Sequence, residues 1–235
     1  MEISQDPQAI KAFASSFTVA SIGFVLYHFL SGNKSPRTGA DGTPDNAVQV
    51  VVQRLSGVFF FGLVSLLLIL FYLHRYPFSY GCSKPGNGTF SWTLLLSALI
   101  LPVNYLNAKS SKNLEQYPMV RNPHWSVSLL ILSALSWIAY LLAYEFLFRG
   151  FLLFSSIEVM GLWPALLLTT GLYSLVHIPK GIKEALGAIP FGIILGYLAY
   201  RTGSFWIAFF VHVVLALSNE WFSLAAHPGI ELKRT

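Results

Sequence analysis

Of 235 residues, 54% are hydrophobic and only 11% are charged, with a mean hydropathy of +0.60. A soluble domain carries about 25% charged residues, so this chain cannot cover a globular surface with polar groups, and lipid is its natural solvent. The net charge of +5 comes without a concentrated basic run, which argues against nucleic acid as a partner, and the single Cys82 excludes an intramolecular disulfide and a cysteine metal cluster.

The opening MEISQDPQAIKAF lacks the basic start and small-residue cleavage site of a signal peptide, so the first apolar run is expected to be retained. Seven apolar segments follow, at about residues 13–30, 58–73, 90–106, 127–160, 162–178, 185–200 and 205–224. Runs of roughly 17–25 apolar residues cross a bilayer as helices, and none alternates with the period of two that a barrel strand would show. The predicted fold is all-α, a polytopic membrane helix bundle of about seven transmembrane helices. Three spans fall in residues 1–124 and four in 125–235. The turn-rich stretches 31–53, 76–88 and 107–124 read as loops outside the bilayer. The fourth segment, 34 residues, would make about 50 Å of helix against a core of roughly 30 Å. It is either strongly tilted or a short interfacial helix followed by a span beginning near Trp137. Lys34, Arg37, Arg54, Lys109, Lys112, Arg121, Lys180, Lys183, Lys233 and Arg234 fall on one side of this topology. Lys11, Arg75, Lys84 and Arg201 fall on the other. The richer set is predicted to face inside, which puts the N-terminus outside.

Charges inside such segments are expensive, about 2.5–3.5 kcal/mol at a helix centre on the insertion scale. Span four nevertheless carries Glu145 and Arg149 in AYEFLFRG. Span five carries His177, and span seven carries His212 followed by Ser218, Asn219 and Glu220. Glu145 and Arg149 are spaced i,i+4 and share a face, acid before base. Tyr173 and His177 have the same spacing, and His212 and Asn219 are i,i+7. One carboxylate and two imidazoles from separate helices can move protons and stabilise an oxyanion. The plainer reading is packing, an ion pair and two interhelical hydrogen-bonding histidines. Glu158 and Glu220 are expected near span ends, Glu220 solvated, and His28, His74, His124 and His227 at interfaces or in loops.

EFLFRG, then YSLVHIPKG, then FGIILGYLAYRTGSFWIAFFVH, in this order and spacing, resemble the CAAX prenyl endopeptidase and bacteriocin-processing (CPBP, or Abi) membrane family. The resemblance covers about residues 137–221. Its pattern is Glu-Glu-x-x-x-Arg, Phe-x-x-x-His and His-x-x-x-Asn or Asp. It implies a glutamate-dependent intramembrane endopeptidase in which a glutamate and the first histidine activate water while the second histidine and the amide stabilise the oxyanion. The positions that match are Glu145, Arg149, His177 and His212. Tyr144 stands at the first glutamate, Tyr173 at the phenylalanine and Ala216 at the asparagine. Asn219, a turn further on, is the candidate replacement amide. Arg149, Tyr173, Asn219 and Tyr144 are expected to support the catalytic Glu145, His177 and His212. Gly192-x-x-x-Gly196 fits close helix packing at the site. The predicted function is cleavage of a peptide or protein substrate, with lipidated tails among the candidates, near the surface of a membrane expected to be a prokaryotic inner membrane. Membrane lipids are the other expected partner. The competing reading is a non-catalytic scaffold or immunity protein with a degenerate site. No cofactor is expected. Two histidines and a glutamate could ligate zinc, but without a His-Glu-x-x-His helix this ranks lower.

Overall fold

The computed structural model describes residues 3–31, 37–38 and 44–233. Lys34 and Arg234 of the basic set lie outside the described residues. Among the described residues, seven apolar helices run in chain order: α1 (Pro7–Phe29), α2 (Ala47–Tyr72), α3 (Thr89–Asn107), α4 (Val127–Met160), α5 (Leu162–Leu175), α6 (Ile182–Thr202) and α7 (Trp206–Ala226). All but α5 are long enough to cross a bilayer. At 14 residues, α5 is about 21 Å long, short of the roughly 30 Å hydrocarbon core. The molecule is an all-α membrane helix bundle.

Local chemistry sets the ends. Asp6 caps α1, its Oδ1 accepting from the Gln8 amide at 3.0 Å, with Pro7 at the first helical position. Ser126 caps α4 by accepting from the Leu129 amide at 3.2 Å. Gly203, at φ +63°, ends α6 in the left-handed region that glycine adopts without strain. Two short strand pairs sit outside the helices. β1 (Arg37–Thr38) pairs antiparallel with β2 (Pro44–Asp45), and β3 (His124–Trp125) pairs parallel with β4 (Glu231–Leu232), which ties the entry of α4 to the segment after α7.

The long fourth segment is a single continuous helix, with no break near Trp137. Its backbone widens into a π-helical turn over Phe146–Leu152, a feature found often at functional sites. Every residue from 143 to 153 is buried, so this stretch of α4 is enclosed on all faces. Helix α2 packs on its N-terminal half, α7 beside it, and α1 against its C-terminal end, while α5 pairs with α6 and α3 with α7. Glycines permit the closest approaches. A Cβ on Gly57 of α2 would lie 2.5 Å from the Tyr140 ring, and one on Gly196 of α6 would lie 2.8 Å from Leu166 of α5. A Cβ on Gly192 would meet Thr170 at 3.1 Å and Tyr173 at 3.2 Å, so the Gly192-x-x-x-Gly196 face packs on α5 as its spacing predicts. One core runs from Ala12 and Phe61 through Tyr144 and Tyr173 to Ala216. Packing therefore crosses residue 124.

Two sequence expectations fail for one reason. Helix α2 begins at Ala47, ahead of the expected residue 58, and carries Arg54 into the bundle, where it is 2% exposed. Glu220, expected to be solvated, is completely buried opposite it. Arg54 Nη1 donates to the Ser133 carbonyl at 3.0 Å, Ser133 Oγ at 3.1 Å and Ser136 Oγ at 2.9 Å. Its Nη2 lies 3.6 Å from Glu220 Oε1, and its guanidinium stacks 4.1 Å over Trp137. Glu220 Oε2 accepts from the Met119 amide at 3.2 Å. Each charge is in the interior because the other is there. Glu158 does lie near its helix end, exposed and 2.7 Å from Arg75. His28, His74 and His124 are exposed, and His227 is half-buried.

Candidate active site

The site is built on α4. Glu145 is the last residue before the π turn and Arg149 lies within it. Glu145 is 0% exposed. Arg149 Nη1 donates to its Oε1 at 3.3 Å and makes ion-pair contact with Oε2 at the same distance, so the i,i+4 pair read from the sequence forms. From α7, His212 brings Nδ1 to 2.6 Å from Glu145 Oε1. A carboxylate facing a guanidinium accepts hydrogen bonds and donates none, so His212 Nδ1 carries the hydrogen. That fixes the tautomer and leaves Nε2, on the far side of the ring, as the basic nitrogen. A carboxylate holding an imidazole this way is the orienting half of a serine-protease triad.

His177 stands apart from this pair. The sequence placed it inside span five, but α5 ends at Leu175 and His177 lies in the turn beyond it. Pro179 accounts for the difference, because it has no N–H to give the Leu175 carbonyl four residues back and its ring would clash with that carbonyl, so an α-helix cannot run through it. His177 Nδ1 donates to the Tyr173 carbonyl at 2.8 Å, an oxygen that only accepts. The Tyr173 ring links the two histidines, its centroid 4.5 Å from His177 and 6.3 Å from His212. Arg149 stacks 3.9 Å over the same ring, a cation–π contact strengthened by desolvation. Arg149 and Tyr173, expected as supporting residues, are buried at 3% and 2% exposure.

Tyr144 is also enclosed, with Phe148 at 4.6 Å and His212 edge-on at 5.8 Å between ring centroids. Three polar atoms on this turn of α4 are buried without a hydrogen bond: Tyr144 Oη, Glu145 Oε2 and Arg149 Nη2. Ala216 packs into the core. Asn219, the candidate replacement amide, is half-buried, and its enclosed Oδ1 takes no hydrogen bond. Among the described residues, no group of three or more His, Cys, Asp or Glu side chains is gathered as a metal site. Two features escaped the sequence reading. The direct Glu145–His212 bond joins residues 67 apart in the chain, which no spacing rule reaches. The Arg54–Glu220 network had a weak signal, Glu220 lying eight residues after His212 and so near the same face of α7.

The family comparison falls on this core. A model described as type II CAAX prenyl endopeptidase Rce1-like matches residues 125–218, which take in Glu145, Arg149, Tyr173, His177 and His212. No curated protein and no solved structure matches the chain. Residues 125–218, which hold the candidate site, are thus similar to the type II CAAX prenyl endopeptidase Rce1-like family.

Proposed function

We propose that the chain is an intramembrane endopeptidase in which His212 is the general base, Glu145 its positioning residue and His177 the proton donor. The observation that carries this reading is the 2.6 Å contact between His212 Nδ1 and a fully buried Glu145 Oε1. It differs from a directly glutamate-activated water, because the carboxylate is already engaged by Arg149 and His212. A water at His212 Nε2 gives up a proton as its oxygen bonds to the scissile carbonyl carbon. The C–N bond then breaks, and the leaving nitrogen takes a proton from His177. Water passes the proton from His212 back to His177 and resets the site. Arg149 balances the Glu145 charge throughout, and its contact with Tyr173 holds the ring that separates the two imidazoles. The family supports a peptide or protein substrate. Half-buried His177, at the end of α5, supports cleavage near a membrane surface. A lipidated tail as substrate and a prokaryotic inner membrane as setting belong to this proposal.

A second reading is a non-catalytic scaffold or immunity protein that keeps the Glu145–Arg149–His212 triad for packing. The complete enclosure of Glu145 favours it. Cleavage of a membrane-tethered peptide library by the full chain in vesicles separates the two. On the peptidase reading His212→Ala is inactive. Glu145→Gln loses about 10³–10⁴ in kcat with KM unchanged, and Glu145→Asp recovers part of the loss. A wild type that cuts nothing, or a His212→Ala variant that cuts as well as wild type, leaves the scaffold reading standing.

A further inference from the structure

Tyr144 is a polar residue of the site turn that the proposed mechanism leaves unused, and it occupies the first glutamate position of the family pattern. Its side chain is 3% exposed, and its hydroxyl is enclosed with no hydrogen-bond partner. Buried hydroxyls nearly always have partners, and one without them forfeits its hydration for nothing in the folded state. The surroundings are those of the site itself. His212 lies edge-on at 5.8 Å and Tyr173 at 6.0 Å. Arg149, stacked on Tyr173, likewise has its Nη2 unpartnered. The amide expected from the family pattern at position 216 is replaced by Ala216, which packs in the core and offers no donor.

Resting on the peptidase reading, we propose that Tyr144 is a catalytic residue whose hydroxyl donates a hydrogen bond to the scissile carbonyl oxygen in place of the missing amide. As the water oxygen bonds to the carbonyl carbon, the C=O π pair moves onto the carbonyl oxygen, and the Tyr144 O–H bond stays intact while stabilising the charge there. His212 Nε2 takes the proton from water. On collapse the pair returns to re-form C=O, the C–N bond breaks, and the leaving nitrogen takes its proton from His177. Tyr144 neither gains nor loses a proton. Phenol donors of this kind act where an apolar enclosure keeps water away.

The alternative for Tyr144 is aromatic packing among Phe61, Tyr140 and Phe148, and Tyr144→Phe separates the two because it removes only the oxygen. With the full chain in vesicles and a fluorogenic library of membrane-tethered peptides, Tyr144→Phe should lower kcat about 10²- to 10³-fold. KM should stay unchanged, and the unfolding temperature should not fall and should rise if anything, because the variant removes an unpaired buried hydroxyl. Unchanged kcat in Tyr144→Phe, with His212→Ala dead, overturns the assignment and leaves the peptidase reading intact. No cleavage by wild type overturns both. Should Tyr144→Phe fail to fold, fluorinated tyrosines at position 144 vary the acidity of the phenol at nearly constant shape. A rate that follows that acidity supports the donor role, and a rate indifferent to it overturns the role.

Discussion

Each charge in the interior of this bundle answers another across a turn or a helix interface: Glu145 with Arg149 and His212, Arg54 with Glu220. Unpaired, any of them would carry several kcal/mol of desolvation penalty. Within a helix such pairing is legible, because 3.6 residues per turn makes i,i+4 neighbours of Glu145 and Arg149 wherever the helix lies. Cys82 shows a different case, a half-buried titratable group whose shift comes from burial alone. It is a free thiol between α2 and α3, at a pocket of about 360 Å³ shared with Phe78, Lys84, Trp206 and Phe210. Burial pushes the thiol up to about 11. The thiolate is the reactive form, so at pH 8 only about one thiol in 10³ is reactive, the difference between 8 and 11 on a logarithmic scale. Alkylation by a water-soluble maleimide should therefore be slow at neutral pH and rise about tenfold per pH unit up to about 11. In the denatured chain the rise should level off near the ordinary thiol value of about 8.5. A folded-state rate that levels off as early would show that the pocket does not enclose Cys82.

At the scale of the helix, hydropathy shows how many apolar elements there are and glycine spacing shows which face of α6 is the close one. Where a helix stops is harder to read. Pro179 is visible in the sequence, yet the apolar run through Ile178 outweighs it, so the sequence predicts His177 inside a span that ends two residues before it. The contact of α6 with α5 bears on the site because Gly192 backs onto Tyr173, the ring beneath Arg149. Gly192→Leu must push Thr170 and Tyr173 aside, so it should cost about 1–3 kcal/mol by overpacking and disturb the site as well. On the same helix Gly187 is exposed, with nothing within 4 Å of an added Cβ. Gly187→Ala should instead gain about 0.5–1 kcal/mol from helix propensity. Thermal unfolding of both variants in lipid tests the pair. Equal and small effects would mean that α5 and α6 are not held at the glycine-permitted distance.

For the molecule as a whole, neighbour relations were the illegible part, since a polar residue near the end of an apolar run reads as solvated until its partner is known. Arg54 and Glu220 are 166 positions apart, and together they join α2, α4 and α7 through Ser133, Ser136 and the Met119 amide. Removing one partner strands the other in the interior, so Glu220→Leu or Arg54→Leu alone should each cost about 3–5 kcal/mol. The double variant removes both charges. Ser136 Oγ keeps its 2.9 Å bond to the Ser133 carbonyl, while the Met119 amide and the Ser133 hydroxyl, which donates to Glu220 Oε1 at 3.3 Å, lose their acceptor, at about 1–3 kcal/mol for each group left unpaired. The double variant should therefore be more stable than either single one, and a double-mutant cycle on unfolding in lipid nanodiscs should return a large coupling. Additive losses would mean that the two side chains act independently. The network lies eight residues along α7 from His212, about 12 Å. On the peptidase reading the double variant should therefore retain cleavage, which separates the element that holds the bundle together from the one that does its chemistry.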